Sequence, residues 1–307
     1  MPEPTRIPVI LDVDTGVDDA AAISLAVRLP QIDLVGVTTV AGNVDIEKTT
    51  ENSLRVLAAL GCSTIPVYRG MSRPLSRAYH DAAEHHGVSG VGDAQFSPSP
   101  AVVQQQTAPE YIVQSVRARP GELTLVCVAP LTNIAVALAL EPELPNLIKR
   151  MVIMGGAFLC RGNVTPYAEY NIWADPEAAA IVANSRFPIT YIGLDVTHKT
   201  PFLKEQWETL ANREETEAKI IYALFRESFS NRARTQFPLH DPLAVGVAAF
   251  PDLVTTERWG VTVETGIGGE FGRTCLVKQP DAPLHEVAVA VKTSEFIELF
   301  SKTLSLA

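Results

Sequence analysis

The first 29 residues constrain the fold of this chain more than any other segment. Residues 8–14 (PVILDVD) form a short, nearly continuous apolar run, which is typical of a strand buried on both faces. Residues 18–29 (DDAAAISLAVRL) follow with helical composition, and Gly16 permits a sharp turn between the two. A buried strand that leads directly into a helix predicts the opening unit of an α/β fold.

The same alternation of strand and helix recurs along the chain. It predicts a largely parallel, doubly wound central sheet with helices on both faces, and we expect residues 1–307 to form a single domain. Residues 257–291 indicate strands joined by a Gly-rich turn, a small C-terminal β extension. Ligands of such sheets bind beyond the carboxyl ends of the strands. The predicted strands are Pro8–Asp14, Asp33–Val40, Leu123–Val128, Met151–Met154 and Ile189–Leu194, and the predicted helices are Asp18–Leu29, Asp45–Leu60, Thr132–Leu140, Asp175–Asn184, Phe202–Ala211, Glu214–Ser230 and Ser294–Leu304.

Composition and charge argue against several classes of partner. The chain has 47% apolar and 20% charged residues, which is a globular composition. Its formal net charge of −10 argues against binding to nucleic acid or to anionic membranes, and favours neutral or cationic partners and metal ions. No apolar stretch reaches the length of a membrane span, and the N-terminus lacks the pattern of a signal peptide. We therefore expect a cytoplasmic protein, whose four cysteines, without any CxxC pair, are reduced.

The loop after the first strand carries four carboxylates within eight positions, DVDTGVDD. Asp12 and Asp14 are two apart and would face the same side of a strand, whereas Asp18 and Asp19 would lie at a helix N-terminus, whose dipole favours negative charge. Helix capping explains one or two of them. It does not explain four, because crowded carboxylates raise one another's pKa unless a counter-charge is present. The loop therefore predicts a site for a hard divalent cation, Ca²⁺ or Mg²⁺, which takes oxygen ligands.

Three familiar motifs do not fit this loop. In an EF-hand counted from Asp12, Ile23 would stand where a bidentate glutamate is required. A P-loop needs a GKS or GKT sequence, which this loop lacks. Zinc prefers histidine and cysteine ligands, and the loop offers carboxylates.

Polar residues also follow other predicted strands. Asn43 comes after the second strand, Thr132 after the third, and Asn163, Glu169 and Asn171 after the fourth. Simpler explanations exist, since Thr132 would fit a helix N-cap and Asn43 a turn. Together, however, these residues bring amides, a hydroxyl and a carboxylate to one edge of the sheet. That is the chemistry of a site for a polyol, in which each hydroxyl needs a donor or an acceptor.

Two segments that contain histidine remain ambiguous. Asp241 and Pro242 fit the start of a helix, with Asp241 as its N-cap. Alternatively, Asp241 is a distant metal ligand and His240 an acid with a pKa near neutrality. His85 and His86 lie in a predicted loop, where they would be solvated or would line the mouth of a pocket.

Taken together, these segments resemble the inosine–uridine-preferring nucleoside hydrolases. They stand in family order and cover most of the chain, and the set is far more specific than the acidic motif alone. The matching segments are DVDTGVDDA at 12–20, TTVAGN at 38–43, PLTNIA at 130–135, MGGA at 154–157, AEYN at 168–171, ADPEAA at 174–179, GLDVTH at 193–198 and HDP at 240–242. The resemblance implies an α/β enzyme with one tightly bound Ca²⁺ that forms homodimers or homotetramers. Such an enzyme cleaves the N-glycosidic bond of ribonucleosides with water, giving ribose and free base.

The resemblance also implies roles for individual residues. Asp14 would act as general base on a calcium-bound water, His240 would protonate the leaving base, and Asp12 would orient the acidic loop from behind. The calcium ligands implied are Asp14, Asp19, Asp241 and the backbone carbonyl of Thr132. The substrate-binding residues implied are Asp18, Asn43, Met154, Asn163, Glu169 and Asn171 around the ribose. His86, which would line the mouth of the pocket, is a further candidate for substrate binding.

The preferred base stays open. Base contacts of this family are expected from residues 230–239, which here hold Arg232, Arg234, Gln236 and Phe237 and match neither a purine nor a pyrimidine pattern. Tyr170, beside the ribose residues, would contact the base or serve in packing.

Three other functions fit parts of the pattern. One is an N-ribohydrolase for a modified or non-standard ribosyl substrate, and another is a binding protein that kept the pocket and lost turnover. The third is a Mg²⁺-dependent phosphatase of the haloacid-dehalogenase type, because Asp12, Asp14 and Thr15 approximate its DxDxT motif. The phosphatase fits less well, since Gly92-Asp93 is not followed by the second aspartate of a GDxxxD pattern.

Overall fold

A nine-stranded sheet forms the centre of the protein, as seen in a computed structural model that describes residues 6–278 and 282–306. The strand order is β10-β9-β11-β6-β5-β4-β1-β2-β3, and β7 and β8 form a separate antiparallel pair. The strands are β1 (Ile7–Val13), β2 (Ile32–Thr39), β3 (Val67–Arg69), β4 (Thr124–Cys127), β5 (Arg150–Met154), β6 (Ile189–Ile192), β7 (Pro201–Leu203), β8 (Gln236–Pro238), β9 (Val254–Val263), β10 (Thr274–Val277) and β11 (His285–Val291).

The central sheet is parallel except at β9, which is antiparallel to both β10 and β11. The predicted C-terminal strands continue this sheet, because β11 pairs in parallel with β6 through Glu286 opposite Thr190. The Gly-rich turn predicted in this region joins β9 to β10. The predicted largely parallel, doubly wound sheet is thus confirmed.

Helices connect most of the strands. None of the described helices combines the length and the apolar character needed to cross a membrane. A π-helical turn (Glu227–Asn231) and a 3₁₀ turn (Pro251–Leu253) follow two of them. The helices are α1 (Val17–Arg28), α2 (Ile46–Ala59), α3 (Ala83–His86), α4 (Ala108–Ala118), α5 (Thr132–Leu140), α6 (Leu144–Leu147), α7 (Tyr170–Ala174), α8 (Pro176–Ala183), α9 (Leu194–Thr197), α10 (Lys204–Glu208), α11 (Thr216–Arg226), α12 (His240–Ala249) and α13 (Thr293–Thr303).

Two apolar cores lie on opposite faces of the sheet. In β1, Leu11 belongs to the core that includes residues of α1, α2, α11, α12 and α13, and Ile10 belongs to the core that includes residues of α4, α5 and α8. Because successive side chains of a strand point to opposite faces, a strand covered on both sides must be apolar throughout. This explains the continuous apolar run of β1, and it confirms the prediction of helices on both faces.

The main difference from the predicted elements lies near residue 202. The segment predicted as a helix from Phe202 begins instead as β7, where Phe202 pairs with Phe237 of β8, and the helix that follows is only α10. The side chain of Phe202 is buried against Phe225 and Phe229, so tertiary packing outweighs the local helical pattern. Strand β3 and helix α4 were not predicted.

Candidate active site

A cavity of about 250 Å³ opens at the carboxyl ends of the central parallel strands. Asn43 follows β2, Asp18 follows β1, Val128 follows β4, and Met154 ends β5, so the ends of four neighbouring strands contribute to its wall. This is the edge at which ligands of parallel α/β sheets bind. The residues that line it are Asp18, Asn43, Ala82, His85, His86, Val128, Met154, Asn163, Val164, Glu169, Tyr170, Asn171, Arg234, Phe237, Pro238, His240 and Asp241.

Nine of the predicted site residues meet in this cavity. Four do not line it: Asp12, Asp14, Asp19 and Thr132 are buried in the wall behind it. The nine that line it are Asp18, Asn43, His86, Met154, Asn163, Glu169, Asn171, His240 and Asp241.

The acidic loop is folded around the carboxylate of Asp19. Its Oδ1 accepts a hydrogen bond from the backbone N–H of Asp14 (3.0 Å), and its Oδ2 accepts one from the backbone N–H of Gly16 (2.8 Å). Asn43 ties this loop to the end of β2, because its side-chain amide donates to Asp19 Oδ2 (2.9 Å) and its backbone N–H donates to Asp14 Oδ2 (2.7 Å). Each of the two carboxylates is thereby fixed in orientation.

Asp12 lies in β1 and is buried behind this loop. Its Oδ1 accepts hydrogen bonds from the Thr38 hydroxyl (2.6 Å) and from the side-chain amide of Asn133 (2.8 Å). The same Asn133 amide also donates to the carbonyl of Thr39 (3.0 Å). Burial raises the pKa of Asp12 to about 7. Asn133, whose role was not predicted, therefore connects β1, β2 and the start of α5.

The carboxylates of the site are crowded and poorly solvated. Burial raises the pKa of Asp18 to about 8, with a further contribution from the charge of Asp19. Burial also raises the pKa of Asp14 well above its usual range, and the charge of Asp19 adds to it. For Asp241, burial and the charges of Asp18 and Asp19 raise the pKa well above its usual range. Negative charge at this position is therefore costly without a counter-charge.

The donor set fits a hard divalent cation. Carboxylate oxygens of Asp18, Asp19 and Asp241 lie within 4.8 Å of one another. Oδ1 of Asp14 is buried and has no hydrogen-bond partner among the described residues. Within the described part of the chain, the only basic group at ion-pair distance from these four carboxylates is His86, 3.8 Å from Asp18. Oxygen-only donors favour Ca²⁺ or Mg²⁺ over zinc, and the geometry adds Asp18 to the predicted metal ligands.

Thr132 does not face the cavity. It is the first residue of α5, after the N-cap Leu131, so the prediction that Thr132 is an N-cap was wrong. Its hydroxyl donates to Asp175 Oδ2 (2.6 Å). The residue of this connection that does line the cavity is Val128, whose carbonyl accepts a hydrogen bond from the side chain of Asn171 (3.0 Å). The geometry favours the carbonyl of Val128 over that of Thr132 as a ligand.

Helix α7 presents a second group of polar residues. Glu169 is its N-cap: its Oε1 accepts from the N–H of Asn171 (2.9 Å) and its Oε2 from the N–H of Gly156 (3.1 Å). Burial raises the pKa of Glu169. The side-chain amide of Asn171 also donates to the carbonyl of Met154 (3.2 Å), and Asn163 accepts from the N–H of Tyr170 (3.0 Å). These bonds hold the polar side chains in fixed positions around the cavity.

His86 closes one side of the cavity at the acidic loop. A Cβ at Gly16 would lie 2.4 Å from His86 Nδ1, so only glycine allows this approach. Burial lowers the pKa of His86 to about 3. The ring is therefore neutral at physiological pH, and its proximity to Asp18 is not an ion pair.

His240 and Asp241 begin α12, whose N-cap is Leu239, so Asp241 is not the N-cap. The ring nitrogen Nδ1 of His240 is hydrogen-bonded to the hydroxyl of Thr197 (2.8 Å). Burial lowers the pKa of His240 to about 3, and the neighbouring His198 and His86 lower it further. The expectation of a pKa near neutrality was therefore wrong for the chain without substrate, because α12 places the ring in a poorly solvated wall.

Several residues of the site were not assigned from the sequence. Val128 contributes through its backbone, which carries no side-chain signal, and Thr197 contributes through His240. Arg234 and Phe237 line the cavity. They belong to residues 230–239, the segment that matched neither a purine nor a pyrimidine pattern. Tyr170 also lines it and donates from its hydroxyl to the carbonyl of His80 (3.0 Å).

Comparisons with known proteins agree with this geometry. Residues 9–298 match the profile of the family described as inosine-uridine preferring nucleoside hydrolase. The non-specific ribonucleoside hydrolase RihC of Escherichia coli strain SMS-3-5 is 39% identical over 307 residues, which cover 98% of this chain and 99% of that protein. The pyrimidine-specific ribonucleoside hydrolase RihB of Escherichia coli strain SE11 is 38% identical over 270 residues, 87% of this chain and 86% of that protein.

Solved structures of nucleoside hydrolases also share the fold of this chain. The purine-preferring ribonucleoside hydrolase from Gardnerella vaginalis superimposes with a TM-score of 0.91 at 34% identity, covering 97% of this chain and 98% of that one.

Proposed function

The chain belongs to the inosine-uridine preferring nucleoside hydrolase family, and on that basis we propose that it is a calcium-dependent enzyme that cleaves ribonucleosides into ribose and free base. The observation that carries the proposal is the meeting of nine predicted site residues around one cavity, directly in front of the buried carboxylates. A ribonucleoside has two parts that match the two kinds of surface in this cavity. Its ribose presents hydroxyls to the polar residues, and its base is a flat, less polar group.

The ribose is proposed to bind among the carboxylates and amides. Asp18, Glu169 and Asn171 line the cavity and are held by packing and by hydrogen bonds to the backbone. Such fixed acceptors and donors distinguish a polyol from other small molecules. The contacts promote the reaction if they strengthen as the ribose approaches the oxocarbenium-like transition state.

Calcium is proposed to bind between Asp14, Asp19 and Asp241, with Asp18 within reach. The support is the unpartnered Oδ1 of Asp14 and the convergence of the other three carboxylates. We propose the carbonyl of Val128 as a further ligand in place of that of Thr132. When bound, the cation lowers the pKa of a water and offsets the repulsion among these carboxylates.

Asp14 is proposed as the general base that takes a proton from the attacking water. Burial raises the pKa of its carboxylate, which favours the uptake of a proton. His240 is proposed to contact the leaving base. To deliver a proton at neutral pH, its pKa must rise from about 3 in the substrate complex, so its acid role depends on that complex.

The relatives do not decide the base, since their names describe non-specific, pyrimidine-specific and purine-preferring enzymes. A modified ribosyl substrate therefore remains the second candidate. Assembly as a homodimer or homotetramer stays a prediction from the resemblance, and light scattering of the purified protein tests it.

Ribose release from inosine, adenosine, guanosine, uridine and cytidine tests the proposed function. The assay is run with calcium and again after exhaustive chelation, followed by re-addition of calcium. We expect release that chelation abolishes and calcium restores. No release from any of the five, with calcium shown to be bound, would contradict hydrolysis of standard nucleosides and favour an unusual ribosyl substrate or a binding role. Release that survives chelation would contradict the metal dependence alone.

A further inference from the structure

One side of the cavity holds an arginine, Arg234, whose guanidinium has no hydrogen-bond acceptor among the described residues. Arg234 lines the cavity and is half-buried. Among the residues that the structure describes, none accepts a hydrogen bond from its guanidinium or pairs with it as an ion. Its contact is with an aromatic face, since Cζ lies 5.7 Å from the centre of the Phe237 ring. The five N–H donors of this guanidinium are therefore available to a ligand.

Arg232, two positions earlier, is arranged differently. Its Nε donates to Oε1 of Glu227 (3.0 Å), and its Nη1 donates to the carbonyl of Glu84. It does not line the cavity. The two arginines thus have separate functions, because Arg232 joins its segment to the segment around α3, and Arg234 faces the ligand space.

The backbone before Arg234 adopts two uncommon conformations. Helix α11 passes into the π-helical turn Glu227–Asn231, and Ala233 then adopts a φ of 50°, a left-handed conformation that alanine rarely takes. The N–H of Arg234 donates to the carbonyl of Ser228 (3.1 Å), which closes this turn. Uncommon backbone conformations of this kind cost free energy and concentrate at functional sites.

The base is the part of a nucleoside that suits this side of the cavity. Arg234 belongs to the same segment as Phe237 and Pro238, which offer apolar surface to a flat ring. The ribose hydroxyls need the carboxylates and amides contributed by the acidic loop and α7. The imidazoles of His86 and His240 each already use one ring nitrogen in a hydrogen bond within the protein. Nδ1 of His86 accepts from the backbone N–H of Val17 in α1, and Nδ1 of His240 is bonded to the hydroxyl of Thr197.

We propose that Arg234 is a catalytic residue that donates hydrogen bonds to a carbonyl oxygen of the departing base and stabilises the negative charge that develops there. The proposal rests on the proposed function of the same site. As the C1′–N bond breaks, its electron pair passes to the base, while the water oxygen bonds to C1′ and loses a proton to Asp14. The base anion then takes a proton from solvent, Asp14 releases the proton that it took from water to solvent, and Arg234 keeps its own protons throughout.

The proposal predicts a dependence on the substituent of the base. A guanidinium donates two parallel hydrogen bonds to the O6 and N7 acceptors of a 6-oxopurine. The 6-amino group of adenine is itself a donor and cannot accept from Arg234, and unsubstituted purine lacks O6 altogether. Inosine, purine riboside and adenosine share the ribose and N7 and differ at C6, with inosine also carrying a hydrogen on N1, so together they isolate the contact to O6.

The test compares kcat/KM of the calcium-loaded wild type, Arg234→Ala and Arg234→Lys on these three nucleosides and on 4-nitrophenyl β-riboside. We expect Arg234→Ala to lose about 10- to 100-fold on inosine and clearly less on purine riboside, which keeps the N7 acceptor but lacks O6. Arg234→Lys keeps the charge without the paired geometry, so its loss on inosine is expected to be intermediate. The nitrophenyl riboside, whose leaving group is activated, is expected to change little.

Arg226→Ala serves as the matched control. Arg226 is an exposed arginine near the end of α11 that donates to the carbonyl of Asp93 (3.0 Å) and does not line the cavity. Equal losses on inosine and purine riboside, or no loss on inosine, would overturn the role of Arg234. If the alanine variant does not fold, equal losses in Arg234→Lys have the same meaning. Activity on uridine and cytidine alone would also overturn this role of Arg234, whereas a wild-type protein that is inactive on all four substrates and on uridine and cytidine would instead overturn the proposed function.

Discussion

The backbone N–H of Val17 donates a hydrogen bond to Nδ1 of His86 over 3.1 Å, although the two residues lie 69 positions apart. Because Nδ1 accepts this bond, the proton of the neutral imidazole sits on Nε2. The bond joins α3 to the first turn of α1, where Asp18 and Asp19 lie. The segment at the mouth of the cavity and the loop that carries the carboxylates therefore support each other.

Replacing His86 by alanine is expected to weaken this support. The N–H of Val17 loses its side-chain acceptor, which we expect to destabilise the fold by about 1 kcal/mol, as for a typical intramolecular hydrogen bond. We expect kcat/KM for ribonucleosides to fall by about tenfold, since the cavity also loses an Nε2–H donor. His85→Ala is the comparison, because His85 is exposed at the cavity mouth. Equal losses in the two variants would contradict a special role for the bond to Val17.

Gly42 is expected to be irreplaceable for a steric reason. A Cβ at this position would lie 2.0 Å from Oδ2 of Asp14, so Asp14 would have to move. A displacement of about 1 Å at a reacting group costs roughly 10²-fold in rate. We expect Gly42→Ala to lose that much turnover, whereas Gly268→Ala, where a Cβ meets nothing within 4 Å, should lose none. Normal turnover in Gly42→Ala would show that Asp14 need not be held in place.

The polar residues of the site could be predicted because the strands before them are easy to recognise. Asn43 and Asp18 follow apolar runs, and a parallel sheet brings the ends of its strands to one edge. The position of Val128 could not be predicted, since its contribution is a backbone carbonyl with no side-chain signature. The pKa of His240 could not be predicted either, because it depends on burial by elements far away in the sequence.

The unpredicted elements have a similar explanation. Strand β3 contains only three residues, Val67–Arg69, which is too short to produce a periodic pattern. Phe202 lies in a segment with helical composition, yet the aromatic residues around it determine its conformation. In both places, contacts that are distant in sequence override the local preference.

Replacing Asp14 by asparagine is expected to preserve the fold and reduce turnover by about 10²- to 10⁴-fold, the usual contribution of a general base. The amide oxygen can still accept the hydrogen bond from the N–H of Asn43, but the side chain can no longer take a proton. Steady-state kinetics at saturating calcium, combined with a calcium titration of the variant, separates lost basicity from lost metal binding. Asp252→Asn, at an exposed carboxylate, is the control. Near-normal turnover in Asp14→Asn would exclude Asp14 as the base.

Removal of calcium is expected to destabilise the protein more at pH 8.5 than at pH 6.5. Burial raises the pKa of Asp12 to about 7 and that of Asp18 to about 8, whereas aspartate in an unfolded chain has a pKa of about 3.9. At pH values between about 3.9 and the raised pKa of each group, the folded, metal-free protein keeps a proton on that group, whereas the unfolded chain has released it. The resulting stabilisation is complete below about pH 4 and is lost as the pH rises through 7 and 8. The two groups together amount to about 3 kcal/mol between pH 6.5 and 8.5.

The choice of pH window separates these carboxylates from the histidines. Burial lowers the pKa of both His86 and His240, so they reduce stability below the pKa of an unfolded histidine, about 6.5, and hardly affect it above. Calorimetric melting in excess calcium and in chelator, at both pH values, measures the effect. We expect the gap in Tm between the two conditions to widen by several degrees at pH 8.5, because bound calcium replaces the protons as the counter-charge. A gap that is equal at both pH values, or larger at pH 6.5, would mean that these carboxylates do not carry the metal dependence of stability.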